Sequence, residues 1–207
     1  MNKKLFTIFV LAAMIAAIHG ARFFKKSPRS PVPQEAIPNK AKGNPSAAIH
    51  VVEYSDFQCP ACTYAAGVLT RFFEQHSSEM YVEFRHYPIP ELHSFAITSA
   101  VFSECVAKQG EFWVYHDLLF EKRVEWSRSL RVRGRLMDMA EDIGIEMESF
   151  RACVEDTAVE TKVLEEKSEG VERGVKATPT YFINDQMVVG ARFLKKELQN
   201  LLDEGRL

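Results

Sequence analysis

The stretch IHVVEYSDFQCPACTYAAGVLTRFFEQH (residues 49–76) changes its pattern partway along. From Ile49 to Tyr54 it is rich in β-branched and aromatic residues, the composition of a strand. From Ala61 to about His76 the apolar residues return at helical spacing, with Cys62, Ala66, Leu69 and Phe73 on one row. A short loop joins the two patterns and ends in Cys59-Pro60-Ala61-Cys62. Pro60 suits the first helical turn, where its missing N–H would have no partner anyway. The stretch therefore predicts a strand followed by a helix with a CxxC pair at its mouth.

That placement has chemical consequences. Unpaired backbone N–H groups and the helix dipole favour negative charge at a helix N-terminus. A cysteine there has its pKa lowered to roughly 3.5–7.5, and the thiolate is the reactive form. Cys59 is thus expected to be an exposed nucleophile. Cys62, one turn further in and on the apolar row, is expected to be more buried, less acidic and placed to resolve a mixed disulfide. The competing use of CxxC is half of a zinc site, which needs a second close pair of ligands. Cys105 and Cys153 are isolated and no HxxxH-type partner occurs, so no metal and no cofactor is expected.

Downstream, Met80 to Tyr87 reads as a second strand, ended by Pro88 and Pro90. Ser94 to about Phe150 is helix-rich, with Ile97, Val101 and Cys105 on one row, a break at Gly110, and helices over Phe112–Phe120 and Leu130–Ile143. Glu146 to Val154 reads as a short helix and Thr157 to Arg173 as a polar one, its charge run from Glu160 forming a solvated face. Thr180–Ile183 and Gln186–Val189 form a hairpin across Asn184-Asp185, residues that tolerate left-handed backbone. Lys195–Glu204 is a closing helix.

Upstream, Ser27 to Ser46 carries Pro28, Pro31, Pro33, Pro38 and Pro45 and reads as an extended tether. At the start, Lys3 and Lys4 precede an apolar run from Leu5 to Ile18, followed by Gly20 and Ala21. This is the layout of a secretory signal peptide or of a retained N-terminal anchor. The expected organisation is a signal or anchor over 1–21, a Pro-rich linker over 22–46, and one domain over 47–207. The chain has 207 residues, 26% charged and net charge −2, with both signs mixed, so nothing suggests a nucleic-acid partner.

The segment EYSDFQCPAC (53–62) resembles the active-site segment of the DsbA-like thioredoxin family. Gly43-Asn44-Pro45 resembles that family's lead-in, GEFWVYHD (110–117) its helical-insert signature, and GVKATPT (174–180) its cis-proline loop. The resemblance implies an α/β, thioredoxin-like fold with an inserted helical subdomain at about 93–173. It implies that Pro179 is cis and faces the cysteines, and that Thr178 offers backbone hydrogen bonds to an extended substrate. It implies that Glu53 is the family's buried acid beneath the active site, with a raised pKa that lets it take a proton from Cys62; the alternative is a strand-end glutamate reaching solvent. Some members carry a second disulfide in the insert, which implies a Cys105–Cys153 bond rather than two separate buried thiols. Pro60-Ala61 stands where the best-known oxidant of the family has a histidine, so a milder oxidant is expected.

The function so implied is an extracytoplasmic thiol–disulfide oxidoreductase, periplasmic or equivalent, acting as a monomer on cysteine-containing exported proteins and recycled by a membrane redox partner. The alternatives are a reductase or isomerase kept reduced by such a partner, or a non-catalytic binding protein on the same fold. His86, His93 and His116 are expected to be structural or polar-surface residues.

Overall fold

The computed structural model describes residues 38–205. The signal or anchor segment over 1–21, and the expected linker as far as residue 37, lie outside the described residues. A 3₁₀ turn, Pro38–Lys40, leads into strand β1, Ala41–Gly43. Strand β2, Ile49–Ser55, helix α1, Pro60–Gln75, and strand β3, Met80–His86, follow. Then come α2, Ala96–Ala107; α3, Phe112–Glu121; α4, Arg123–Ser127; α5, Val132–Asp142; α6, Met147–Val154; and α7, Thr157–Glu172. The chain closes with β4, Thr180–Ile183, β5, Gln186–Val189, and α8, Ala191–Asp203.

The five strands form one mixed sheet in the order β1-β3-β2-β4-β5. β2 and β3 are parallel, as a crossover through α1 requires, and the other pairs are antiparallel. The β4–β5 hairpin turns through Asn184 and Asp185, both at positive φ. Side-chain alternation along β2 sends Ile49 and Val51 into a core shared with Val68 and Leu69 of α1 and Leu194 and Leu198 of α8. Tyr54 points the other way, to a cluster with Tyr87, Val175 and Phe182. Helix α7 lies close against that side because Gly170 has no side chain: a Cβ there would meet the rings of Tyr54 and Tyr87 at 2.9 Å.

The helices from α2 to α7 build a third core. α2 is its centre and is buried almost all round, from Ser99 to Ala107. Phe102, Phe112, Tyr115, Leu119, Trp126 and Phe150 pack around it, and the cluster is continuous with Phe57, Cys59 and Cys62. The active-site loop is therefore seated on the helical insert as well as on the sheet.

Two expectations need correction. The folded chain does not begin at residue 47: β1 lies inside the stretch read as linker and pairs with β3, Ala41 opposite Glu83 and Gly43 opposite Tyr81. Gly43 permits this because its φ is +95° and a Cβ would meet the Met80 carbonyl oxygen at 2.2 Å. Nor is the charge run of α7 entirely solvated. Glu166 is buried, with Oε1 2.6 Å from the Lys40 ammonium and Oε2 accepting the His86 N–H at 2.7 Å. Lys40 is itself buried and also pairs with Glu104 at 2.7 Å, and Lys162 bonds the other Glu104 oxygen. Proline density hid this, because a Pro-rich composition says nothing of one lysine that finds two buried carboxylates.

Candidate active site

Cys59 is the N-cap of α1, in extended backbone, and Pro60 begins the first turn. The loop before it is held by Asp56, whose carbonyl accepts the Cys59 N–H at 3.0 Å. Asp56 Oδ1 accepts the Gln58 N–H at 2.8 Å, and Oδ2 accepts the Ile89 N–H at 3.0 Å. His93 Nδ1 lies 2.8 Å from the same Oδ2. Gln58 in turn accepts the Phe95 N–H at 2.8 Å, tying the loop to the start of the helical insert. His93 is thus a clamp on the loop.

Across from Cys59 runs a cis peptide bond between Thr178 and Pro179. The Cys59 thiol donates to the Thr178 carbonyl at 3.7 Å. The loop is fixed on either side of Pro179, where Thr180 Oγ1 donates to the Ala177 carbonyl at 2.7 Å and the Gly190 N–H to the Pro179 carbonyl at 2.8 Å.

Both cysteines are free thiols. Cys59 is only 7% exposed, so the expectation of an exposed nucleophile is corrected: packing in the core cluster of the insert covers most of it. Its pKa is nevertheless lowered to about 5, chiefly because Cys62 donates a hydrogen bond to its sulfur. Burial opposes this, and the backbone N–H groups of Cys62 and Ala61 and the side chain of Thr178 add to it. Cys62 is fully buried, and burial, with the neighbouring Cys59, pushes its pKa well up. The two sulfurs are unlike in the sense that thiol exchange needs: one acidic at the helix tip, one protonated behind it.

Glu53 is buried at the floor of the site, 1% exposed, rather than reaching solvent. Its Oε1 accepts from the Tyr181 hydroxyl at 3.4 Å, and Oε2 has no hydrogen-bond partner. Burial raises its pKa, while His116, Ser55, Lys42 and Tyr181 pull the other way. Lys42, from β1, lies 4.0 Å above the Trp113 ring, and burial lowers its pKa. The residues not singled out from sequence are Asp56, Ser55, Lys42 and Tyr181. Period-two alternation along β2 was the available signal for Ser55, which shares a face with Glu53.

Cys105 of α2 and Cys153 of α6 form a disulfide, with Cα atoms 5.8 Å apart. Among the described residues no group of three or more His, Cys, Asp or Glu is placed to hold a metal ion.

A cis-proline loop opposite a helix-mouth CxxC on a mixed sheet defines the thioredoxin class of folds. A family profile described as Thioredoxin matches residues 36–204, and the chain belongs to that family. The fold is that of the DsbA-like members. α-DsbA1 of Wolbachia pipientis superposes with a TM-score of 0.69 at 23% identity, covering 80% of this chain and 89% of that one. BdbD of Bacillus subtilis gives 0.68 at 22% identity, covering 81% and 95%. A thioredoxin-like oxidoreductase of Silicibacter pomeroyi gives 0.66 at 22%, covering 82% and 93%. Among curated sequences, a Na(+)/H(+) antiporter NhaA of Salinispora tropica is 30% identical over 181 residues, 86% of this chain and 27% of that protein. The chain thus spans about a quarter of the length of that relative.

Proposed function

We propose that this protein is an extracytoplasmic thiol–disulfide oxidoreductase that exchanges a Cys59–Cys62 disulfide with the cysteines of exported proteins. The observation that carries the reading is the acidic Cys59 at the tip of α1, facing the Thr178–Pro179 loop with a protonated Cys62 behind it. A substrate thiolate attacks Cys59 of the disulfide, and Cys62 leaves as a thiolate that must gain a proton. A second substrate thiolate then attacks its partner sulfur, releasing the product disulfide and the reduced Cys59. Thr178 supplies backbone groups to the extended substrate, and Glu53 takes and returns the Cys62 proton. A stabilised Cys59 thiolate favours the reduced protein and so makes its disulfide a net oxidant. The strength of that oxidant is milder than its histidine-bearing relative, because Pro60-Ala61 adds no imidazolium.

The compartment follows from chemistry. A structural disulfide such as Cys105–Cys153 persists where the surroundings are oxidising. Residues 1–21 supply the export signal or anchor, and a membrane redox partner re-oxidises the CxxC pair of the monomer. Among the described residues no helix is long and apolar enough to cross a membrane.

The purified, oxidised protein is expected to convert a reduced dithiol peptide to its disulfide. Cys59→Ser is expected to abolish turnover, and Cys62→Ser to accumulate a mixed disulfide through Cys59. Turnover surviving in the Cys59→Ser protein would overturn the assignment. Titration of the couple against glutathione separates the oxidant from the reductase or isomerase reading.

A further inference from the structure

Ser55 ends β2 two residues after Glu53, so strand alternation puts both side chains on one face of the sheet. That face is the floor beneath Cys62. Ser55 is 1% exposed, and its hydroxyl makes no hydrogen bond of ordinary geometry in this state; neither does Glu53 Oε2. Two buried oxygens with unused capacity therefore lie on one floor. Leaving a buried hydroxyl unpartnered costs stability, so stability gives no account of a serine here. An alanine would fill the place more cheaply.

The hydroxyl acts on two groups at once. Burial is the largest influence on Glu53 and on Cys62, driving both pKa values up, and Ser55 holds each of them down. It is thus within reach of the thiol that must lose a proton and of the carboxylate that must receive it. The other groups facing Glu53 are His116 of α3, Lys42 of β1 and Tyr181 of β4. The Tyr181 hydroxyl bonds the opposite oxygen, Oε1. His116 is buried with its Nδ1 2.7 Å from Asp117.

We propose that Ser55 is a proton relay, its hydroxyl passing the proton between the Cys62 sulfur and Glu53 at each exchange. The proposal rests on the function above. When Cys62 attacks a mixed disulfide, its proton moves to Ser55 Oγ while Ser55's own proton moves to Glu53 Oε2. The Cys62 sulfur then bonds to the Cys59 sulfur, and the bond from Cys59 to the substrate sulfur breaks, that sulfur leaving with the electron pair as a thiolate. In the opposite direction Cys62 leaves as a thiolate, and the same two protons return.

The test uses the reduced protein and one equivalent of dithionitrobenzoate, whose thiolate product is coloured. Attack by Cys59 releases the first coloured thiolate, and closure by Cys62 releases the second. With Ser55→Ala the second phase is expected to slow by about tenfold or more, the low end for loss of a general acid–base path. The first phase is expected to hold, and the melting temperature to stay level or rise. Closure in the parent protein should change little across neutral pH, whereas in Ser55→Ala it should rise with hydroxide concentration. An unchanged second phase with an unchanged pH profile would overturn the relay, as would equal slowing of both phases. If alanine prevents folding, Ser55→Thr and Ser55→Val make the same comparison, isosteric with and without the hydroxyl; equal closure rates in that pair would overturn it. Absence of the first phase at neutral pH in the parent protein would instead sink the assignment of Cys59 as an acidic nucleophile.

Discussion

Cys59 carries a pKa of about 5 in a residue whose thiol ordinarily titrates near 9. A depressed folded pKa contributes stability that is fully present above the unfolded value and lost as pH falls through the folded one. Alkylation of the reduced protein is therefore expected to be half-maximal near pH 5, and the stability gap between the reduced protein and Cys59→Ser to shrink between pH 9 and pH 5. Mass spectrometry of the alkylated protein and denaturant melts at stepped pH measure the two. Glu53 has the opposite sign. Its raised pKa means the fold prefers the protonated acid, so stability falls as pH rises from the ordinary carboxylate value of 4.5 through the raised one. Glu53→Gln is expected to become progressively more stable than the parent as pH rises through that window, while closing its disulfide more slowly. Cys59 was legible in the sequence because a CxxC motif is local, and Glu53 only through the family resemblance, which implies an acid six residues before it. Ser55 and Lys42 were not. Their roles depend on what a strand face lies under and on which strand lies beside it, and neither is written in neighbouring residues.

Among the elements, α1 and the strands around it follow from local pattern, since apolar row, Pro60 and strand composition all agree. β1 is the element that pattern missed. Three residues, Ala41–Gly43, form a strand because β3 offers them an unpaired edge, and isolated propensity plays little part. Helix α8 begins at Ala191, four positions ahead of the expected Lys195, because Gly190 at φ +84° turns the chain directly from β5 into the helix. Helix α7 offers a test of packing against propensity. In an open helix Gly→Ala stabilises by about 1 kcal/mol. At Gly170 the added methyl would sit 2.9 Å from two tyrosine rings. Gly170→Ala is therefore expected to destabilise the protein by about 1–3 kcal/mol, the usual range for overpacking, as read from urea midpoints.

At the scale of the whole molecule there are two long-range ties, one within the insert and one joining it to the rest. The Cys105–Cys153 disulfide spans 48 residues and links α2 to α6. Replacing both cysteines with alanine is expected to cost about 2–4 kcal/mol and to leave the pH profile of Cys59 alkylation in place. The second tie is Lys40 with Glu104 and Glu166, a buried ionic cluster joining the N-terminal arm to α2 and α7. Lys40→Met leaves two buried carboxylates short of a cation and is expected to cost about 3–5 kcal/mol, visible as a lowered melting temperature. The sequence displayed both lysines of the arm, but only the tertiary fold decides that they turn inward. That inward turn has a use at the bench. A trypsin-like protease must draw a lysine into its specificity pocket, and here the Lys40 ammonium is locked between carboxylates while that of Lys42 lies against the Trp113 ring. Scission after either lysine therefore times the peeling of β1 from β3, and limited digestion becomes a clock for the opening of the sheet edge.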